Sequence, residues 1–157
     1  MQTSNPPVLQ LNKHEVQSIE VSAIAHATDD LDKVQTALKA ILPDSLKERQ
    51  LFTRRYLEGH HRNPIVTFEA RLTRAAEVEE FTSCFFRQLP KNQKLRIERD
   101  LALHSDADGN LYIRIDKQQA FRGIVELGDE DPIRVRLKFN RLLGAGPELM
   151  RKLLESE

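Results

Sequence analysis

The sequence is compatible with a single domain of the α+β class, and two kinds of pattern support this. Apolar and polar residues alternate in several short segments, which is typical of strands with one buried face. Other segments carry apolar residues three or four positions apart, as amphipathic helices do. In chain order they predict β-α-β-β-α-(α)-β-β-β-β. We expect a flexible tail at 1–14, the domain at 15–140 and a C-terminal helical tail at 141–157.

The composition limits the classes of function. The 157 residues include 24 basic and 24 acidic ones, so no global field attracts nucleic acid or membrane. The single cysteine, Cys84, excludes an internal disulfide or cysteine metal site and suits a reducing cytoplasm. No apolar run approaches the roughly 20 residues of a membrane span. The composition therefore predicts a cytoplasmic protein with no membrane partner.

The first third of the domain predicts a strand, a helix and a hairpin. The strand covers Glu15–Ala27, and the helix begins with Thr28 or Asp29 as N-cap and stops at Pro43. Polar residues on both faces of 50–58 predict an edge strand or the border of a functional face. The segment 65–73, with four alternating apolar residues, predicts its partner.

The tip of this hairpin carries His60, His61 and Arg62 between turn-forming residues. Paired histidines suggest a metal site. However, adjacent residues point in opposite directions in an extended chain, and no nearby cysteine or acidic pair completes a ligand set. A loop that contacts phosphate or a partner and an inert loop both remain open.

The middle of the chain predicts two helices and a short strand. Arg74–Leu89 has one apolar stripe, and Cys84 lies near it, which favours a core thiol over a nucleophile. A basic third helix follows at 90–100, with Asn92 as its cap. A short strand at 101–103 and a hairpin turn at 104–110 complete this part.

The stretch Asn110–Gly123 combines an alternating strand with a polar cluster. Leu111, Ile113 and Ile115 share one face, and Asp116-Lys117-Gln118-Gln119 follows directly. A strand that runs into such a cluster places polar groups on a rigid edge, where a site can be built. A solvated turn between two strands is the alternative.

The last strands carry another basic pattern. A short strand is predicted at 123–127, and the segment 133–139 alternates buried apolar residues with Arg134, Arg136 and Lys138. Cations at every second residue lie roughly 6.6–6.8 Å apart, which resembles the phosphate repeat of an extended nucleic acid. A solvated face is the alternative. A terminal helix is predicted over Pro147–Leu154.

No catalytic motif is present: the sequence has no glycine-rich phosphate loop, no Gly-x-Ser-x-Gly and no His-Glu-x-x-His. We therefore expect a non-enzyme without a cofactor. A metal-dependent hydrolase is the rival hypothesis. Its residues would be His26, His60, His61, Asp116 and Lys117, although nothing in the sequence shows that they converge.

Three segments together resemble a known family. They are Val21–Thr28 followed by a helix, the loop Gly59–Ile65, and Leu111–Ala120 with its Arg-x-Asp-Lys-Gln-x-Ala pattern. Their order and spacing are similar to archaeal predicted RNA-binding proteins described as exosome-associated subunits. The resemblance implies a mainly antiparallel sheet with helices on one face, similar to the large-subunit ribosomal protein that binds 5S rRNA. It also implies RNA binding linked to RNA processing or degradation.

We therefore predict a non-catalytic RNA-binding protein that contacts mainly phosphate. Arg114 and Lys117 would bind phosphate, Asp116 would orient them or cap the next turn, and Gln118 would offer its amide to a base or sugar. The other predicted contacts are His60, His61, Arg62, Arg134, Arg136 and Lys138. Predicted partners are RNA and exosome or ribosome components, with a homodimer as a candidate assembly. The alternative is a protein-interaction scaffold that binds no RNA.

Overall fold

The computed structural model describes residues 15–140 and 146–155, and its centre is a five-stranded sheet. The strands are β1 (Val16–Ala25), β2 (Thr53–Glu58), β3 (Pro64–Leu72), β4 (Leu111–Ile115) and β5 (Ile133–Phe139). Their order across the sheet is β2-β3-β1-β5-β4, and every paired neighbour is antiparallel. The prediction of an α+β fold with a mainly antiparallel sheet is confirmed.

Helices supply the second layer. They are α1 (Leu31–Ala40), α2 (Asp44–Lys47), α3 (Ala75–Gln88), α4 (Lys91–Arg99), α5 (Lys117–Phe121) and α6 (Gly146–Glu155). The inward residues of the strands, such as Ile19 and Leu137, form one buried cluster with helix residues such as Leu38 and Phe81. Burial of this single apolar face of the sheet is the main force that holds the two layers together. The opposite face remains available for polar side chains.

Several predicted elements match the structure within a few residues. They include β1, the β2–β3 hairpin, α3, β5 and α6. The inward residues Val66, Phe68, Ala70 and Leu72 of β3 are all buried, as their alternation predicts. The start of α1 lies slightly later than predicted. Its N-cap is Asp30, whose side chain accepts a hydrogen bond from the backbone N–H of Asp32 at 2.9 Å.

Two predicted short strands are wrong. Residues 101–103 belong to the 3-10 helix Leu101–His104, where Leu101 is buried but Leu103 is exposed. In the segment 123–127, only Leu127 makes a bridge, to Ile115 of β4. Three to five residues are too few to distinguish a period of two from a helical turn, so the pattern in both segments was ambiguous.

The predicted caps and turns near α4 also need correction. Asn92 does not cap α4, because the helix begins one residue earlier, after Pro90. The turn at 104–110 does not join two paired strands, because only a single antiparallel bridge, between Ser105 and Leu111, closes it. Cys84 is half-buried rather than a core residue, and the sulfur lies 3.1 Å from Nε2 of Gln88.

The C-terminal helix α6 packs against the domain. Leu149, Met150, Leu153 and Leu154 are buried in the common core, and Nζ of Lys152 lies 3.4 Å from Oε1 of Glu15. The predicted tail at 1–14 lies outside the described residues. Within the two described ranges, no helix is long and apolar enough to cross a lipid bilayer.

Candidate nucleic-acid interface

The sheet face opposite the helices is rich in cations. We call it the open face, and it carries Arg55, Arg71, Arg114, Arg134, Arg136 and Lys138. Side chains at directly opposed positions of antiparallel strands share one face, so the register alone assigns them to it. One row runs Arg71–Glu20–Arg136–Tyr112, and the next runs Thr53–Glu69–Ser22–Arg134–Arg114. Cations from four strands are thereby collected on one surface.

Acidic residues on the strands of this face neutralise only part of its charge. Oε1 of Glu20 lies 3.2 Å from Nη1 of Arg136, and Oε1 of Glu69 lies 3.9 Å from Nη2 of Arg55. Burial lowers the pKa of Arg136, whereas its hydrogen bond to Glu20 raises it, and the net change is upward. The remaining four cations have no ion pair with any residue in the described ranges.

Arg114 and Arg134 are the most informative of these four. They are direct cross-strand partners on β4 and β5, and both are exposed. Opposed residues of antiparallel strands have Cα atoms about 4.5–5.5 Å apart, and like charges at that distance destabilise the pair. A bound anion would convert this repulsion into attraction for both guanidinium groups. The two residues therefore form a candidate phosphate contact.

The aromatic residue of the open face, Tyr112, is already engaged. The guanidinium carbon of Arg136 lies 5.8 Å from the centre of the Tyr112 ring. Burial raises the pKa of the Tyr112 hydroxyl, and a hydrogen bond to Asp106 raises it further. Tyr56 is 67% exposed, but the register places it on the other side of the sheet. The open face thus offers charge rather than a free aromatic platform for stacking bases.

Lys117 lies away from the open face, at the end of β1. Its Nζ donates to the carbonyl of Ile24 at 2.8 Å and to Oδ2 of Asp131 at 2.6 Å, and it lies 3.9 Å from Oδ2 of Asp29. Its side chain is only 12% exposed. His26 joins the group through Asp131, with 3.3 Å between Nε2 and Oδ1. We call Lys117, His26, Asp29 and Asp131 the Lys117 cluster.

The Lys117 cluster also brings together a set of potential metal ligands. Ligand atoms of His26, Asp29 and Asp131 lie within 4.8 Å of one another. The ammonium group of Lys117 contacts both carboxylates and supplies the positive charge that a metal ion would otherwise bring. The arrangement is therefore that of a charge cluster linking β1, α5 and the loop before β5.

Asp116 and Gln118, the other two predicted RNA contacts after β4, lie at the start of α5. Asp116 is its N-cap, and Oδ1 accepts a hydrogen bond from the backbone N–H of Gln119 at 2.9 Å. This corresponds to the capping role that the sequence allowed for Asp116, although the capped element is a short helix rather than a turn. Gln118 is exposed on α5.

The hairpin tip lies at the same end of the sheet as the Lys117 cluster but on the β2–β3 side. His60, His61 and Arg62 form a tight turn whose backbone is not helical at His61. His61 and Arg62 have positive φ values of 57° and 63°, a region that non-glycine residues seldom adopt. The ten residues predicted to bind RNA therefore divide among the open face, the region of Lys117 and this tip.

Comparison with known proteins identifies the family. A family model described as RNA binding matches residues 18–139. The chain belongs to this RNA-binding family. It is 29% identical over 150 residues to "RNA-binding protein PAB1135" of Pyrococcus abyssi, which covers 92% of this chain and 97% of that protein. The resemblance of the sequence to an RNA-binding family is therefore confirmed.

Solved structures of similar archaeal proteins share the fold. Protein AF2318 from Archaeglobus fulgidus, a DUF54 protein, superimposes with a TM-score of 0.76 and 30% identity over 88% of this chain and 99% of that chain. Mth689, a DUF54 protein from Methanothermobacter thermautotrophicus, has a TM-score of 0.70 and 28% identity over 90% and 99% of the two chains. The architecture described above is therefore that of the relatives along nearly their whole length.

Two cations of this RNA-binding family member were missed as site residues. Arg71 and Arg55 lie on the open face with the predicted Arg134, Arg136 and Lys138. The alternation in β3 predicts that Ala70 and Leu72 are buried, as they are, and it therefore also predicts that Arg71 points outward. What the sequence could not show is that β3 and β5 both flank β1 and present these residues on one surface.

Proposed function

We propose that this protein binds RNA through the open face of its sheet, without catalysis, and that it serves RNA processing or degradation in association with the exosome. Membership of the RNA-binding family supports RNA as the partner. The observation that carries the proposal is the exposed cross-strand pair Arg114 and Arg134, which has no acidic partner among the described residues.

The proposed contacts are mainly to phosphate. Arg134, Arg136 and Lys138 alternate along β5, so neighbouring cations lie about 6.6–6.8 Å apart. Arg114 widens the strip across β4, and Arg71 widens it across β3. A strip of this kind fits the backbone of RNA and discriminates little between bases.

The Lys117 region and the hairpin tip have secondary roles in this proposal. Lys117 stabilises the end of the sheet, because its ammonium group is held by one carbonyl and two carboxylates. Asp116 caps α5, the helix that begins with Lys117. Exposed Gln118 and the tip residues His61 and Arg62 extend the contact surface at that end of the sheet. His60 lies in the same turn.

The test is fluorescence anisotropy of labelled single-stranded and duplex RNA, titrated with the protein from low to physiological salt. Affinity should fall steeply with salt, because phosphate contacts release bound counterions. The double variant Arg114→Ala, Arg134→Ala should lower the slope of log affinity against log salt by about 1.4 on single strands and about 1.8 on duplex.

A matched control keeps the change in net charge equal. Arg74→Ala, Arg87→Ala removes two exposed arginines that flank the ends of α3, in the helical layer. Its salt slope should remain that of the wild type. If both double variants lose the same affinity and slope, the contact is diffuse attraction rather than an open-face site. If RNA does not bind even at low salt, the proposal is wrong and a protein-interaction scaffold replaces it.

The exosome association needs its own test. Immobilised protein should retain exosome subunits from an archaeal extract treated with ribonuclease if the link is direct, and only from untreated extract if RNA bridges the two. Retention of no exosome subunit in either extract would remove the exosome from the proposal and leave RNA binding unaffected.

A further inference from the structure

A cavity of about 390 Å³ lies beside the open face, at the β4 edge of the sheet. Arg114 of β4 forms one side, and Arg96 comes from α4. The remaining lining residues are Leu103, His104, Leu127 and Asp129. The volume is within the range of small-ligand sites, about 300–1,000 Å³. Arg114 also faces Arg134 across the strands, so the cavity and the candidate phosphate contact share this residue.

The side of the cavity formed by Leu127 and its neighbour Gly128 is held in place by hydrogen bonds from its backbone N–H groups. Leu127 bridges to Ile115, and its N–H donates to Oε1 of Gln93 at 2.8 Å. The N–H of Gly128 donates to the carbonyl of Arg114 at 3.0 Å. A Cβ at Gly128 would lie 2.7 Å from Cβ of Asp116, so glycine is what permits this close approach. The cavity is thus preformed rather than dependent on a loop that must close.

Its lining combines an apolar surface with both kinds of hydrogen-bonding group. Leu103 is 77% exposed, so a ligand that covered its side chain would bury apolar surface, which is favourable. Leu127 adds half-buried apolar surface, and the flat guanidinium group of Arg96 can stack on an aromatic ring. The carboxylate of Asp129 is exposed and acts only as an acceptor. A flat heteroaromatic ring with adjacent donors matches this lining.

We propose that the cavity receives one unpaired RNA base, with guanine preferred, while Arg114 and Arg134 hold the adjacent phosphate. The proposal rests on RNA binding by the open face. Guanine is the choice because its Watson–Crick edge presents two adjacent donors, N1–H and the 2-amino group, to the two oxygens of a carboxylate. Unpaired bases are also the elements of RNA that proteins read most readily. The expected target is therefore a bulge or loop next to a stem.

The experiment uses labelled RNA stems that differ at a single position. One stem is fully paired, and the others carry a one-nucleotide bulge of G, A, C or U. Anisotropy titrations at fixed salt should show the G bulge bound about tenfold tighter than the paired stem, as expected for one good bidentate contact. The other bulges should fall in between.

The variants test whether the cavity causes this preference. Asp129→Asn should reduce the preference for the G bulge over the paired stem to below about twofold, with binding of the paired stem retained. Glu130→Gln is the matched control, because it removes the same charge from an exposed neighbouring residue that does not line the cavity. It should keep the tenfold preference. Circular dichroism and thermal melts should show both variants folded, since both side chains are exposed.

Each outcome decides something different. Loss of the G-bulge preference in Asp129→Asn but not in Glu130→Gln supports the cavity. Equal affinity of the wild type for bulged and paired stems overturns the cavity proposal and leaves open-face binding standing. A preference that survives in Asp129→Asn also overturns it, because the base is then read elsewhere. Absence of binding to any stem at low salt overturns both proposals.

Discussion

Two cationic regions of this protein look alike in the sequence and differ in the structure. Arg114 and Lys117 are three residues apart in one motif, yet Arg114 is exposed on the open face without an ion pair among the described residues. Lys117 is 12% exposed and bonded to a carbonyl and a carboxylate. A cation in the sequence is therefore not always available to a ligand, because folding pairs some cations with internal carboxylates and carbonyls.

The difference follows from the position of each residue relative to β4. Arg114 lies within the strand, where alternation directs it to the open face opposite Arg134. Lys117 lies beyond the strand, in the first turn of α5, which packs against α1. There it meets Asp29 and Asp131, which come from two loops at the same end of the sheet. Variants can therefore separate residues that stabilise the fold from residues that bind.

The largest effect on stability is expected from Gly128→Ala. The new Cβ would lie 2.7 Å from Cβ and 2.8 Å from Cα of Asp116, so backbone must move, and we expect a loss of about 2–3 kcal/mol in the free energy of unfolding. Gly123→Ala is the control. Its new Cβ would meet no atom within 4 Å, so only the positive φ of +85° should lower the free energy of unfolding, by about 1 kcal/mol. Urea denaturation measures both, and equal losses would contradict the close packing at Gly128.

The next effect tests the Lys117 cluster directly. Lys117→Ala should cost about 2 kcal/mol of unfolding free energy, because it leaves the Ile24 carbonyl and the Asp131 carboxylate without their bond to the ammonium group. The folded protein should keep its RNA affinity. Lys138→Ala on the open face should do the reverse, with stability changed by less than about 0.5 kcal/mol and RNA affinity lowered. If Lys117→Ala lowered RNA affinity and Lys138→Ala did not, Lys117 would be a binding residue and the assignment of these two roles would be wrong.

A third variant concerns an acid that borders the open face. Hydrogen bonds from the backbone and side chain of Asn110 hold the pKa of Asp106 at about 2, below the usual 3.8. The folded state thus favours the ionised form, so this stabilisation is present above pH 3.8 and disappears as the pH falls through about 2.

Asp106→Ala should therefore be less stable than the wild type by about 1 kcal/mol at neutral pH. The gap should shrink between pH 3.8 and pH 2, in urea denaturation curves measured across that range. A gap that is independent of pH would show that Asp106 acts through packing rather than through its charge. Asp108→Ala is the comparison variant, at an exposed position in the same turn.

The smallest effect tests repulsion on the open face. Arg134→Gln should raise the free energy of unfolding by about 0.2–1 kcal/mol at low salt, because it removes a like charge opposite Arg114. The gain should vanish in 1 M salt, where the screening length is about 3 Å. Arg71→Gln is the control, since its cross-strand partner is Glu20 and no gain is expected. A gain in both variants would indicate general relief of positive charge rather than a specific pair.

Much of the scaffold could be predicted from the sequence. Strict alternation in β3 and β5 and the apolar stripe of α3 predicted both the elements and the residues that they bury. These patterns suffice to predict an element because its buried residues recur at a fixed spacing, and this spacing can be recognised in the sequence. The outward direction of Arg134, Arg136 and Lys138 followed from the same alternation.

Which cations lack an ion pair depends on contacts between segments that are distant in the chain. Lys117 and Asp131 are 14 residues apart, and the carbonyl of Ile24 lies 93 residues before Lys117, so no local pattern pairs them. The opposition of Arg114 and Arg134 and the cavity beside them likewise depend on the pairing of β4 with β5. Strand order and register arise from burial of the whole core at once, and they determine whether a cation meets a carboxylate, another cation or solvent.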